Sequence, residues 1–100
     1  MNIETIRDAN KITLKLDGWL DTASSPELGE AVAKISNAEE IVLDFEKVEY
    51  MSSSGLREVV ACYKKAKDLQ SAFSVISVNS DIMSIFELTG IDKKITILKQ

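Results

Sequence analysis

The chain has 100 residues, 45% of them hydrophobic, which is enough for one domain around a single core. Its formal charge is −4 with no basic block, so a nucleic-acid partner is not expected. It contains no histidine and a single cysteine, Cys62, which excludes Ser-His-Asp and Cys-His machinery, a histidine-containing metal site and an internal disulfide.

The first strand candidate, Ile3–Arg7, is short and poorly patterned, as befits a sheet edge. Asp8-Ala9-Asn10 reads as a tight turn. Lys11–Asp17 alternates polar and apolar residues, the pattern of a strand with one wet face, and Gly18-Trp19-Leu20 is expected to end it. Asp21-Thr22-Ala23-Ser24-Ser25 is a polar loop of turn and cap residues. Pro26, with serine before it and Glu27 after it, opens a helix that buries Leu28, Ala31, Val32 and Ile35 and stops near Ser36-Asn37.

Ile41-Val42-Leu43-Asp44-Phe45 has three consecutive apolar residues, as in a central parallel strand buried on both faces. It leads to Val48-Glu49-Tyr50-Met51-Ser52-Ser53-Ser54-Gly55-Leu56-Arg57, a strand-to-helix junction. The helix that follows repeats apolar residues at Leu56, Val59, Val60, Tyr63, Ala66 and Leu69 and ends near Gln70-Ser71. Its Lys64, Lys65 and Lys67 read as a solvated face, and Tyr50, Met51 and Trp19 as core or rim packing. Ala72–Val78 forms the next strand. Asn79-Ser80-Asp81 caps a third helix carrying Ile82, Ile85, Phe86 and Leu88, Gly90 stops it, and Ile95–Leu98 closes the chain as a strand.

The order β-β-α-β-α-β-α-β predicts an α/β fold with a mostly parallel, mixed sheet and an N-terminal hairpin-like strand pair. The serine run then lies at the carboxyl end of the sheet, where sites in open α/β sheets are usually found. Free N–H groups and the positive end of a helix dipole converge there, so a serine could cap the helix, bind an anion or carry a phosphate. The residues alone leave these three open. No G-x-S-x-G elbow, P-loop or ligand cluster is present, so an enzyme is not expected and no cofactor is implied. No apolar run approaches the roughly 18–20 residues of a membrane span. The N-terminus lacks signal-peptide character, and the lone cysteine fits a reducing compartment, so the expected location is the cytoplasm.

Tyr50-Met51-Ser52-Ser53-Ser54-Gly55-Leu56 resembles the signature of STAS domains, the anti-sigma factor antagonists. Leu16-Asp17-Gly18-Trp19-Leu20-Asp21-Thr22-Ala23 with Pro26-Glu27-Leu28 resembles that family's Gly-x-Leu-Asp loop and first helix. Ile41–Phe45 resembles its central strand and Phe86-Glu87-Leu88-Thr89-Gly90-Ile91 its last helix end, so the likeness spans the chain, 1–100, as a single STAS domain.

The resemblance implies a bacterial partner switch. The unphosphorylated domain binds an anti-sigma factor that is also a serine kinase, and a sigma factor is released. The kinase phosphorylates a serine, and a PP2C-type phosphatase removes the phosphate. By position the acceptor is Ser53, with Asp21, Thr22, Ser52, Ser54, Gly55 and Arg57 on the partner-binding face. Ser52 stands where relatives often have Asp, and Glu58 where they often have an apolar residue, a change that could alter which kinase docks. The alternative is a constitutive STAS interaction subunit of a lipid-transport or signalling complex, not phosphorylated.

Overall fold

A computed structural model describes all of residues 1–100. The elements run β1 (Asn2–Asp8), β2 (Lys11–Leu20), α1 (Ser25–Ala33), β3 (Glu40–Met51), α2 (Ser53–Asp68), β4 (Ala72–Val78), α3 (Ser80–Thr89), a single 3-10 turn (Ile91–Lys93) and β5 (Thr96–Lys99). The five strands form one sheet in the order β1-β2-β3-β4-β5. β1 is the antiparallel edge expected of its poor patterning, and every other neighbouring pair is parallel.

Alternation in β2 directs Ile12, Leu14 and Leu16 to one face, in register with Ile41 and Leu43 of β3 and, beyond them, Val75 of β4. Leu28 and Val32 of α1, Val59, Cys62 and Ala66 of α2, and Ile82 and Phe86 of α3 complete the same cluster of 21 buried residues. The Phe45 and Phe86 rings meet at 6.3 Å across it. All three helices thus share one core, while Thr13, Lys15 and Asp17 keep the other side of β2 polar. Val42 is buried with Ile41 and Leu43, as a central strand requires, but lies outside that cluster.

Several elements differ from their sequence pattern. β2 does not stop at Asp17 but continues through Gly18 and Trp19 to Leu20, and β3 continues past Phe45 to Met51. Two register shifts against β2 let β3 gain one residue each time, so Phe45, Val48 and Met51 all face inward at intervals of three. The Glu46 N–H donates to Asp44 Oδ1 at 3.0 Å at the first of these bulges. α1 ends at Ala33; Ile35 is buried, but from the loop beyond the helix.

The stripe that α2 buries is Gly55, Val59, Cys62 and Ala66, with Leu56 and Tyr63 half-buried beside it. At its end Gln70 takes φ 58° and the Ser71 N–H returns to the Ala66 carbonyl at 2.8 Å, a Schellman stop. Leu88 of α3 is 87% exposed and no core residue, whereas Gly90, at φ 75°, is the expected stop.

Candidate functional site

β2 and β3 end side by side, Leu20 paired with Met51. The Ser52 N–H donates to the Leu20 carbonyl at 2.9 Å, tying the start of α2 to the end of β2. The chain leaves β2 through the loop 21–24 and leaves β3 directly into α2, so this loop and the serine run emerge at the same end of the sheet.

The three serines have different surroundings. Ser52 is extended (φ −85°, ψ 175°), and its Oγ accepts the Gly55 N–H at 3.2 Å, an N-cap that satisfies one of the free donors of the first turn. Ser54 is half-buried; its Oγ shares a 3.0 Å hydrogen bond with Thr22 Oγ1 and accepts a longer one, 3.4 Å, from the Arg57 guanidinium. Ser53, the first residue of α2, is exposed, and its hydroxyl has no hydrogen-bond partner.

Gly55 permits the junction to close. Its φ is not in the left-handed region, so space and not backbone freedom requires glycine there. A Cβ would stand only 2.4 Å from the Leu20 carbonyl oxygen, 2.9 Å from Leu20 Cγ and 3.1 Å from Met51 Cγ.

The loop is built on Asp21. Its Oδ1 accepts the N–H groups of Ala23 (3.1 Å) and Ser24 (3.0 Å) and lies 3.1 Å from Ser24 Oγ. The Ser24 N–H, then the Ser24 hydroxyl, hold the Asp21 carboxyl below the usual carboxylate range, against a smaller opposing effect of desolvation. Ser24 is the N-cap of α1 but does not cap it with its side chain: its Oγ donates to the Trp19 carbonyl (2.6 Å) and accepts the Asp21 N–H (2.9 Å). Ser25 Oγ bonds the Asp21 carbonyl. Loop and helix start are thus one hydrogen-bonded unit, and Thr22 at its tip reaches Ser54.

All seven residues singled out in the sequence lie at this end. Ser52, Ser54, Gly55, Asp21 and Thr22 join directly or through Leu20, and Arg57 joins through Ser54. Glu58 does not face a partner freely. Its carboxylate lies against α1, where Gly29 makes room; an added Cβ there would come within 2.6 Å of Glu58 Oε1. Together with burial, Glu58 pushes the Cys62 thiol up to about 12, burial being the larger cause, so this cysteine stays protonated and inert.

Trp19 and Tyr50 are the residues whose role the sequence did not disclose. Neither belongs to the core: they are 57% and 48% exposed, with ring centroids 5.4 Å apart. Parity would have found Trp19, since inward Leu16 and Leu20 leave it pointing outward.

The family described as "Mlab, STAS domain" matches residues 3–99. The chain belongs to the STAS family. This STAS domain is 31% identical over 93 residues to the anti-sigma-B factor antagonist of Listeria monocytogenes, covering 91% of this chain and 82% of that one. It is 30% identical, again over 93 residues, to the anti-sigma-B factor antagonist of Staphylococcus aureus, covering 91% and 86%. Its fold matches the crystal structure of an anti-sigma factor antagonist from Mycobacterium paratuberculosis with a TM-score of 0.82 at 21% identity, over 99% of this chain and 86% of that one. No helix of the STAS domain is long and apolar enough to cross a membrane.

Proposed function

We propose that this STAS domain, acting as one unit over residues 1–100, is an anti-sigma factor antagonist. Unphosphorylated, it binds an anti-sigma factor that is also a serine kinase, and the sigma factor held by that protein is released. Phosphate on Ser53 ends the contact, and a PP2C-type phosphatase restores it. The domain itself performs no catalysis, and the exchange takes place in the cytoplasm. Relatives named anti-sigma-B factor antagonists support this reading over nearly the whole chain.

The observation that carries the choice of residue is the division of labour among the three serines. Ser52 holds the cap and Ser54 holds Thr22, while the Ser53 hydroxyl is exposed and unengaged. A kinase can take Ser53 without dismantling either contact.

A phosphate there adds about −1.5 to −2 charges. At the first position of a 16-residue helix that charge is favoured by roughly 0.3–1 kcal/mol, so the fold tolerates it. An acidic or apolar partner surface opposite Ser53 is penalised by repulsion and desolvation, and each 1.4 kcal/mol of penalty is about tenfold in affinity. The switch therefore lies in binding, with the structure unchanged.

The test is release of sigma. Purified domain added to the complex of the anti-sigma factor and its sigma factor should restore sigma-dependent transcription in vitro, and Ser53→Glu should restore little. Equal release by Ser53→Glu would remove the phosphate switch and leave a constitutive antagonist, and no release by the wild type would remove the antagonist reading in favour of a constitutive interaction subunit.

A further inference from the structure

The two edges of the sheet are protected unequally. β5 is four residues long, and a register shift interrupts its pairing with β4. β1 is seven residues long, pairs with β2 without a shift and contains no proline, and all of it but Ile3 is exposed. A long unbroken edge offers free N–H and C=O groups to another strand, and shortness, bulges, proline and charge are the usual defences. β1 has only charge, at Glu4, Arg7 and Asp8.

Ile3, Thr5 and Arg7 share the face of β1 that looks toward α1, since they pair with the inward residues Leu16, Leu14 and Ile12. Between this row and α1 runs a groove of about 460 Å³ floored by Ile3, Ile12, Ala31 and Ile35. α1 carries the chain back from the end of β2 to the start of the parallel strand β3, which separates the charges along the groove. Arg7 and Lys34 stand at its Ile12 end, while Glu27 and Glu30 line it toward Ile3. The chain's one ion pair joins Glu27 to the α-ammonium group of Met1, so Arg7, Lys34 and Glu30 have no partner of opposite charge. Arg7 donates one hydrogen bond, to the Asn37 carbonyl at 2.8 Å, and keeps its other N–H groups.

A second copy laid against β1 by a two-fold axis perpendicular to the sheet opposes residues of the same face. Centred on Glu4, it sets two glutamates against each other; centred on Ile6, it sets Glu4 against Asp8. Centred on Thr5, it opposes no like charges and pairs the whole strand: Asn2 with Asp8, Ile3 with Arg7, Glu4 with Ile6 and Thr5 with itself. The same register brings the cationic end of each groove, Arg7 and Lys34, to the acidic end of the other, where Glu30 is free.

We propose that β1 pairs with β1 of a second copy, antiparallel and centred on Thr5, joining the two five-stranded sheets into one. Charge complementarity selects the occupant, because each groove supplies what the other lacks. The axis sends the two serine junctions to opposite ends of the joined sheet and covers neither. The proposal is therefore independent of the antagonist reading.

Self-association of the purified full-length chain is followed by sedimentation equilibrium from micromolar to millimolar concentration. The wild type should form a dimer and nothing larger, as a closed two-fold requires. Arg7→Glu and Glu30→Arg should each weaken the dimer about 100-fold, about tenfold for each of the two symmetric contacts. Mixed in equal amounts the two variants should pair again, since one contact then has both charges reversed and the other is native. Circular dichroism checks the fold of each. Thr5→Cys reads the register: opposed Cβ atoms on the axis lie about 5 Å apart, close enough for a disulfide under mild oxidant. Ile3→Cys should not crosslink, and the buried Cys62 does not compete.

A monomer throughout the concentration range overturns the proposal. A dimer that survives both charge variants, or that their mixture fails to restore, is built on another surface and overturns it too. Crosslinking of Ile3→Cys as fast as Thr5→Cys refutes the register.

Discussion

Gly55→Ala sets two effects of opposite sign against each other. In a helix, alanine is favoured over glycine by about 1 kcal/mol, so on propensity alone the variant is the more stable protein. The junction reverses that sign. The new methyl would lie 2.4 Å from the Leu20 carbonyl oxygen, which cannot withdraw because it also accepts the Ser52 N–H at 2.9 Å. Leu20 Cγ at 2.9 Å and Met51 Cγ at 3.1 Å close the other directions.

Overpacking against side chains that can yield costs typically 1–3 kcal/mol; against a pinned backbone atom the upper end applies. The net is about 2 kcal/mol of destabilisation, or a fall in Tm of roughly 8–16 °C for a domain of this size. Urea unfolding followed by circular dichroism measures it. A variant as stable as wild type, or more so, would refute the close approach of α2 to β2 and with it the placement of the serines.

Further predictions are independent of that contact. Ser52→Ala removes the side-chain cap of α2 and should cost about 1 kcal/mol in the same unfolding assay, with no loss of phosphate incorporation at Ser53. Folding lowers the Asp21 pKa, so its contribution to stability is present above the unfolded value of 3.8 and is lost as pH falls through the folded value. Asp21→Asn should therefore flatten the acid limb of the stability curve below about pH 4, and identical limbs would contradict the hydrogen-bonded loop. The Cys62 thiol, buried and raised to about 12, should ignore a thiol reagent at pH 8 in the native state and react fully in denaturant.

What the sequence disclosed follows the range of the forces involved. The alternation of Lys11–Asp17 gave β2 its buried face because period-two patterning is local. β3 past Phe45 was unreadable since its two bulges convert a period of two into intervals of three, which only the register with β2 explains. The α2 stripe shares Val59 and Ala66 with the apolar pattern but replaces Leu56, Val60 and Tyr63 with Gly55 and Cys62, because the start of the helix lies so close to Leu20 and Met51 that only glycine fits there. Glu58 is accommodated against α1 because Gly29 lacks a Cβ on the facing helix, a fit that only the packing of the two helices discloses.

At the site, the serine run was legible as a junction at the carboxyl end of a strand. The tie from Thr22 to Ser54, across 32 residues of sequence, was not. Nor was the inequality of the three hydroxyls, which depends on what each one touches. The aromatic pair was hidden for a related reason. Hydrophobicity leaves core and rim open for Trp19 and Tyr50; parity along β2 turns Trp19 outward, and Tyr50 follows only through its register with Trp19 beyond the bulges.

The central claim is tested most directly by phosphate mapping. The domain is incubated with the anti-sigma factor kinase proposed as its partner and ATP, the modified residue is located by mass spectrometry, and binding of the modified protein to the kinase is measured beside that of Ser53→Ala. Phosphate on Ser53, absent from the variant and accompanied by loss of kinase binding, is the predicted result. Tight binding with no phosphate, or binding that survives full modification of Ser53, would contradict it.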